Sequence, residues 1–174
     1  MGKKADVGGA GAFNDLEAAK CAVAMEREGL SFYRAAAAAV RNPDLARVFE
    51  DMAVEEEKHL ADFEDLAGEI GRARAATEEY WDDPGVGEYI HAVIAQKVFP
   101  KPGDAAGAAA GMSSAPDALR FALGAEKDTV LFYSLCADSA RSADVRAVFT
   151  RLVAEERKHV ALVGRWLKEA AGKK

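Results

Sequence analysis

Two short units carry the chemistry of this sequence: Glu56-x-x-His59 and Glu156-x-x-His159, identical in spacing with every number raised by 100. A spacing of three on a helix puts a carboxylate and an imidazole side by side on one face, so both can reach a common centre. The first unit sits on the apolar row Leu45, Phe49, Met52, Phe63, Leu66 and the second on Val145, Phe149, Leu152, Val163, Trp166. Each pair is thus a polar interruption of a seam that otherwise reads as core. A further acid lies on each of two other apolar rows: Glu26 with Ala19, Val23, Leu30 and Tyr33, and Glu126 with Leu119, Leu123, Val130 and Tyr133. If the four rows point inward, four carboxylates and two imidazoles share one apolar interior. Unpaired, such anions cost several kcal/mol each to desolvate and repel one another. Two divalent cations balance four negative charges, which argues for a dinuclear site. A carboxylate and imidazole set without thiolate suits iron or manganese, whereas a structural zinc site normally uses cysteines.

The elements that must hold these groups come from a repeat. AMEREGLSFY (24–33) aligns with GAEKDTVLFY (124–133), and DLARVFEDMAVEEEKH (44–59) with DVRAVFTRLVAEERKH (144–159), at the same offset of 100. Each half is a helix pair built to one plan. Asn42-Pro43-Asp44 supplies a capping residue, a proline at the first helical position and an acid that complements the helix dipole. Ser114-Ala115-Pro116-Asp117 and Ser142-Ala143-Asp144 open helices in the second half. The spacing predicts helix pairs over about 14–41/43–70 and 116–140/143–170, each an antiparallel hairpin. The crossover at about 71–115 holds a turn-like stretch over 80–87, a short helix over 88–99 and a flexible Gly/Ala loop, PKPGDAAGAAAGMSS. One long crossover among four helices is what an all-α, ferritin-like four-helix bundle with a single long connection requires.

Composition agrees with one domain over 13–172, preceded by a mobile arm at 1–12. The 174 residues are 50% apolar and 30% charged with five prolines, enough to bury a core without disulfides. A net charge of −6 without a clustered basic face argues against nucleic acid. Cys21 and Cys136 form no C-x-x-C and suit a reducing cytoplasm. No apolar run reaches membrane-spanning length, and MGKKADVGGAGAF does not resemble a signal peptide.

On these residues the sequence resembles the rubrerythrin branch of the ferritin-like di-iron carboxylate proteins, over nearly all of 13–170. The resemblance implies metal ligands at Glu26, Glu56, His59, Glu126, Glu156 and His159, a linker helix in EYIHAVIAQKVFP, and two iron ions, with manganese or zinc as other loads. It also implies a cytoplasmic oxidoreductase of oxidative-stress type, a peroxidase or ferroxidase. In that reading Fe(II) reduces hydrogen peroxide or dioxygen, and an external rubredoxin-like donor supplies electrons. Two departures stand out. The four-cysteine rubredoxin module is absent from these residues, and the glutamate that some members carry three residues after the third-helix ligand is Thr129 here.

Several assignments stay open at this level. The basic stripe Lys20, Arg27, Arg34, Arg41 leaves Glu26 and Glu28 symmetrically placed beside the solvent face, although identity at 126 favours Glu26. Glu55 and Glu155 also reach the histidines at spacing four, and the resemblance prefers Glu56 and Glu156. Tyr33 and Tyr133 are either donors to ligand carboxylates or ordinary core aromatics. His91 reads as a packing residue, and the acids from Asp62 to Glu69 as solvated surface or an iron route. Iron binding or storage without turnover, a substrate-oxidising di-iron enzyme and a metal-free helical interaction module are the competing functions. Apolar residues on more than one side of the first helix, among them Phe13, Leu16, Cys21, Met25 and Phe32, suggest a homodimer.

Overall fold

A computed structural model describes residues 15–75, 98–100, 103–111 and 114–172. The arm expected at 1–12, Phe13, His91 and all but the last two residues of the expected 88–99 helix lie outside the described residues. In chain order the helices are α1 (Asp15–Ala39), α2 (Pro43–Ala75), α3 (Ala105–Gly111), α4 (Ala115–Ser139) and α5 (Ala143–Gly172). No strand occurs among the described residues. The chain is an all-α, ferritin-like bundle.

The starts of the long helices follow from side chains that satisfy their first amides. The Asn42 side-chain oxygen accepts from the backbone N–H of Asp44 at 2.9 Å and of Leu45 at 3.2 Å, just before Pro43 opens α2. Ser114, in extended conformation, accepts from the Asp117 amide and donates to its carboxylate at 2.7 Å, which begins α4. Ser142 accepts from the Asp144 amide at 3.2 Å and begins α5. Asp15, in the first turn of α1, reaches across the bundle instead. Its two oxygens accept from the amides of Arg141 and Ser142, both at 3.1 Å, pinning the start of α1 to the α4–α5 turn. The Arg146 guanidinium donates to the carbonyls of Ala137 at 3.3 Å and Ala140 at 2.7 Å, a cation on the free carbonyls at the end of α4.

The structure departs from the sequence expectations at the crossover. The Gly/Ala stretch expected as a flexible loop contains α3, which packs on α1. Alanine carries the least helix cost, and Ala105 and Ala109, four apart, are buried together. Helix α2 also continues past residue 70, through Gly71, to Ala75, with no proline to stop it there.

Helices α1 and α2 form one antiparallel hairpin and α4 and α5 the other, and the hairpins face each other through α1 with α4 and α2 with α5. Two apolar clusters fill the interior. One contains Cys21, Met25, Phe63, Tyr133, Phe149 and Leu152. The other contains Phe32, Tyr33, Phe49, Met52, Leu119 and Val163. Each draws on both halves of the repeat. Phe49 and Phe149, repeat equivalents, are fully buried in opposite clusters, and truncating either to alanine would cost about 3–5 kcal/mol.

Cys21, Met25 and Phe32 thus lie in the chain's own core, and Leu16 is half-buried. Among the described residues, the large apolar side chains left exposed are Val54 on α2 and Leu131 and Leu135 on α4. Among the described residues no helix is long and apolar enough to cross a membrane.

Candidate metal centre

Halfway along the bundle, between the two apolar clusters, lies a belt of buried ionisable groups. Glu26 comes from α1, Glu56 and His59 from α2, Glu126 from α4, and Glu156 and His159 from α5; none is more than 6% exposed. The six residues singled out by the repeat are thus brought together. They form two overlapping quartets, Glu26, Glu56, His59, Glu156 and Glu56, Glu126, Glu156, His159, each with ligand atoms within 4.8 Å of one another. Glu56 and Glu156 belong to both. Each of the other four residues belongs to one, so every quartet has two shared carboxylates, one private carboxylate and one imidazole.

Four of the inward atoms are not satisfied by any neighbour. His59 Nδ1 lies 2.8 Å from Glu156 Oε1, yet neither atom makes a hydrogen bond, because the alignment such a bond needs is missing. Glu26 Oε2 and Glu126 Oε2 are likewise buried without a hydrogen-bond partner. His159 Nδ1 does hydrogen-bond with Glu156 Oε2, at 3.0 Å, and lies 3.5 Å from Glu126 Oε2 and 3.6 Å from Glu56 Oε1. Orphaned buried polar atoms are rare and costly, about 1–3 kcal/mol each. Several of them converging on common points is the arrangement expected of a site shaped for cations.

The electrostatics carry the same strain. Burial, followed by the charges of neighbouring carboxylates, raises Glu56 well above the usual carboxylate range. Burial also raises Glu26 and pushes Glu126 up to about 8. Burial opposes charge on Glu156 too, but the adjacent imidazoles of His159 and His59 outweigh it and hold that carboxyl far below its ordinary value. On His159, burial is overcome by the adjacent carboxylates of Glu126 and Glu156, which lift it to about 10. Protons must stand in here for positive charge, and two divalent cations would release them.

The open alternatives divide clearly. Glu28 is only half-buried and belongs to neither quartet. Glu55 pairs with Lys58 at 2.7 Å and Glu155 with Lys158, both toward solvent. Among the acids from 62 to 69, Asp62 pairs with Arg151 of α5 and Glu64 with Arg27 of α1, at 2.9 Å and 2.8 Å. Cys21 and Cys136 are buried free thiols in an apolar cluster, and burial pushes Cys21 up to about 12 and Cys136 higher still.

Tyr33 and Tyr133 are donors to the belt, and each donates to the opposite half of the repeat. The Tyr33 hydroxyl bonds to Glu126 Oε1, and the Tyr133 hydroxyl to Glu26 Oε1. Burial, followed by the nearby carboxylate charges, raises both phenols well above their usual value, so they remain protonated donors. The seven-residue spacing from acid to tyrosine on one helix hid this crossing. Thr129, the departure noted in the sequence, is buried and donates to the Ala125 carbonyl at 3.1 Å. Its repeat equivalent, Gly29, lies against Glu56 and escaped sequence reasoning. Aligning 29 with 129 under the offset would have exposed it.

Comparison with known proteins agrees with the belt. The rubrerythrin family model matches residues 17–93, the stretch that contains Glu26, Glu56 and His59. No curated protein and no solved structure matches the chain. The match covers less than half of the chain; with the second helix pair repeating the matched one, the whole is consistent with a rubrerythrin-like, ferritin-like protein.

Proposed function

We propose that this protein is a di-iron oxidoreductase of rubrerythrin type, reducing hydrogen peroxide or dioxygen with electrons from an external donor. The observation that carries the reading is the pair of quartets with unsatisfied, inward-facing atoms. The residues fit two ions: Glu26 and His59 would hold one, Glu126 and His159 the other, and Glu56 and Glu156 would serve both. Bound iron would supply the reducing electrons and the Lewis acidity that oxygen chemistry needs. The donor set favours iron or manganese, since both cysteines lie away from the belt.

The remaining work falls to the chain's own residues. The tyrosines orient Glu26 and Glu126 from behind, leaving the second oxygen of each carboxylate for an ion. The flanking apolar clusters keep water from the belt and strengthen every charge interaction within it. Because the two thiols are buried, electrons must arrive from a donor outside these residues.

To test this, protein loaded anaerobically with Fe(II) is mixed with peroxide and oxidation followed by absorbance. The reading expects two irons per chain and oxidation much faster than in a His59→Ala/His159→Ala variant. Equal rates would reject catalysis. Uptake far beyond two irons with mineral formation would favour storage, and no stoichiometric metal would favour an interaction module.

A further inference from the structure

The repeat gives both halves the same six groups, but the wall around them differs. One turn beyond Glu26 stands Gly29; one turn beyond Glu126 stands Thr129, which occupies its place with its own side chain. At Gly29 the space is taken by a residue from the crossover. A side-chain carbon built on Gly29 would lie 3.3 Å from Cε2 and 3.4 Å from Cζ of Phe99, and 3.4 Å from Oε2 of Glu56. The Phe99 ring is 3% exposed, and its centroid lies 5.8 Å from those of both Phe32 and Tyr33. One ring therefore abuts the notch beside a carboxylate common to both quartets and packs on the tyrosine that donates to Glu126. Nothing in the ligand pattern demands an aromatic here, and a glycine inside a helix costs about 1 kcal/mol relative to alanine. The notch is intelligible as room for that ring.

We propose that Phe99 is a positioning residue that plugs the Glu56 face of the centre, confining the Glu56 carboxylate and closing that face to water and small anions. The inference rests on the dinuclear reading above. It makes Glu56 and Glu156, chemically alike, mechanically unequal: Glu56 is pinned beneath a ring that the crossover supplies. Residue 29 must then be glycine, because an alanine methyl would press on the ring edge and displace it by a few tenths of an ångström.

The experiment compares wild type, Phe99→Ala, Phe99→Leu and Leu119→Ala, each loaded anaerobically with Fe(II) and its iron content measured. Leu119 is fully buried in the same apolar cluster as Phe99 and serves as the control for general loosening. Two rates are read, iron release to a ferrous chelator and azide binding to the oxidised protein by visible absorption. Opening the face is expected to speed both about tenfold in Phe99→Ala and about threefold in Phe99→Leu, the range that outer supports of a metal site command. Leu119→Ala should lower the melting temperature and leave both rates within about twofold of wild type. Unchanged rates in the Phe99 variants, or equal acceleration in Leu119→Ala, would overturn the proposal while leaving the dinuclear reading standing. If Phe99→Ala does not fold by circular dichroism, Phe99→Leu decides alone. If wild type binds no stoichiometric iron, the dinuclear reading fails and the plug falls with it.

Discussion

Replacing Tyr133 with phenylalanine removes one oxygen from the centre of the bundle and little else. Both partners of the lost bond, the Tyr133 hydroxyl and Glu26, are at most 1% exposed, so water cannot replace it without opening the core. The other Glu26 oxygen already has no hydrogen-bond partner, and after the change neither would. A hydrogen bond between neutral groups is worth about 1 kcal/mol and one to a charged group up to about 3. Between these limits, a loss near 1.5 kcal/mol is expected for the metal-free protein. At this size that lowers the melting temperature by about 3–6 °C. Tyr33→Phe, its counterpart at Glu126, should cost the same. The two effects should nearly add, since the phenols serve different carboxylates. In the metal-loaded protein each variant should weaken one ion position about tenfold. Denaturant unfolding with and without metal, together with competitive metal titration, reads both quantities. A loss below about 0.5 kcal/mol in both variants, with metal affinity intact, would refute the argument that these hydroxyls orient the carboxylates.

Other outcomes follow from the same geometry. Glu156 belongs to both quartets and Glu26 to one, so Glu156→Ala should abolish stoichiometric binding of either ion, while Glu26→Ala retains about one ion per chain by elemental analysis; equal stoichiometry in the two variants would contradict the shared role. The metal-free protein should lose stability as pH rises from about 5 to about 9. Glu126, at about 8 instead of 4.5, and His159, at about 10 instead of 6.5, hold protons more tightly folded than unfolded. Their contribution is complete below 4.5 and 6.5 and is lost as pH climbs through the folded values, whereas the lowered Glu156 matters only below 4.5. Metal-loaded protein, its ligands deprotonated, should show the opposite slope from about pH 5 to about pH 8, and a metal-free denaturation midpoint that rises with pH would sink this account. Asp15→Ala should cost about 1 kcal/mol by freeing the amides of Arg141 and Ser142, measurable as a shift in urea midpoint at unchanged slope.

The sequence alone determined which residue types meet and roughly where. Period-3.6 apolar rows place Glu56 and His59 on a buried stripe whatever the neighbouring helix does, and the offset of 100 repeats the placement at Glu156 and His159. Local capping chemistry likewise wrote the starts of α2, α4 and α5 into Asn42, Ser114 and Ser142. Periodicity fixes an angle around one helix axis. It does not fix how far that helix is rotated against its partners, or which atoms cross the interface between them. Hence periodicity left Glu26 and Glu28 level, with the repeat identity at 126 favouring Glu26, until packing buried one and left the other at the edge. The crossed bonds of Tyr33 and Tyr133, the membership of Glu56 and Glu156 in both quartets, and the seating of Phe99 at Gly29 join residues from separate elements. Only the folded chain brings those atoms within a few ångströms, because short-range forces act on distance in space and take no account of separation along the sequence.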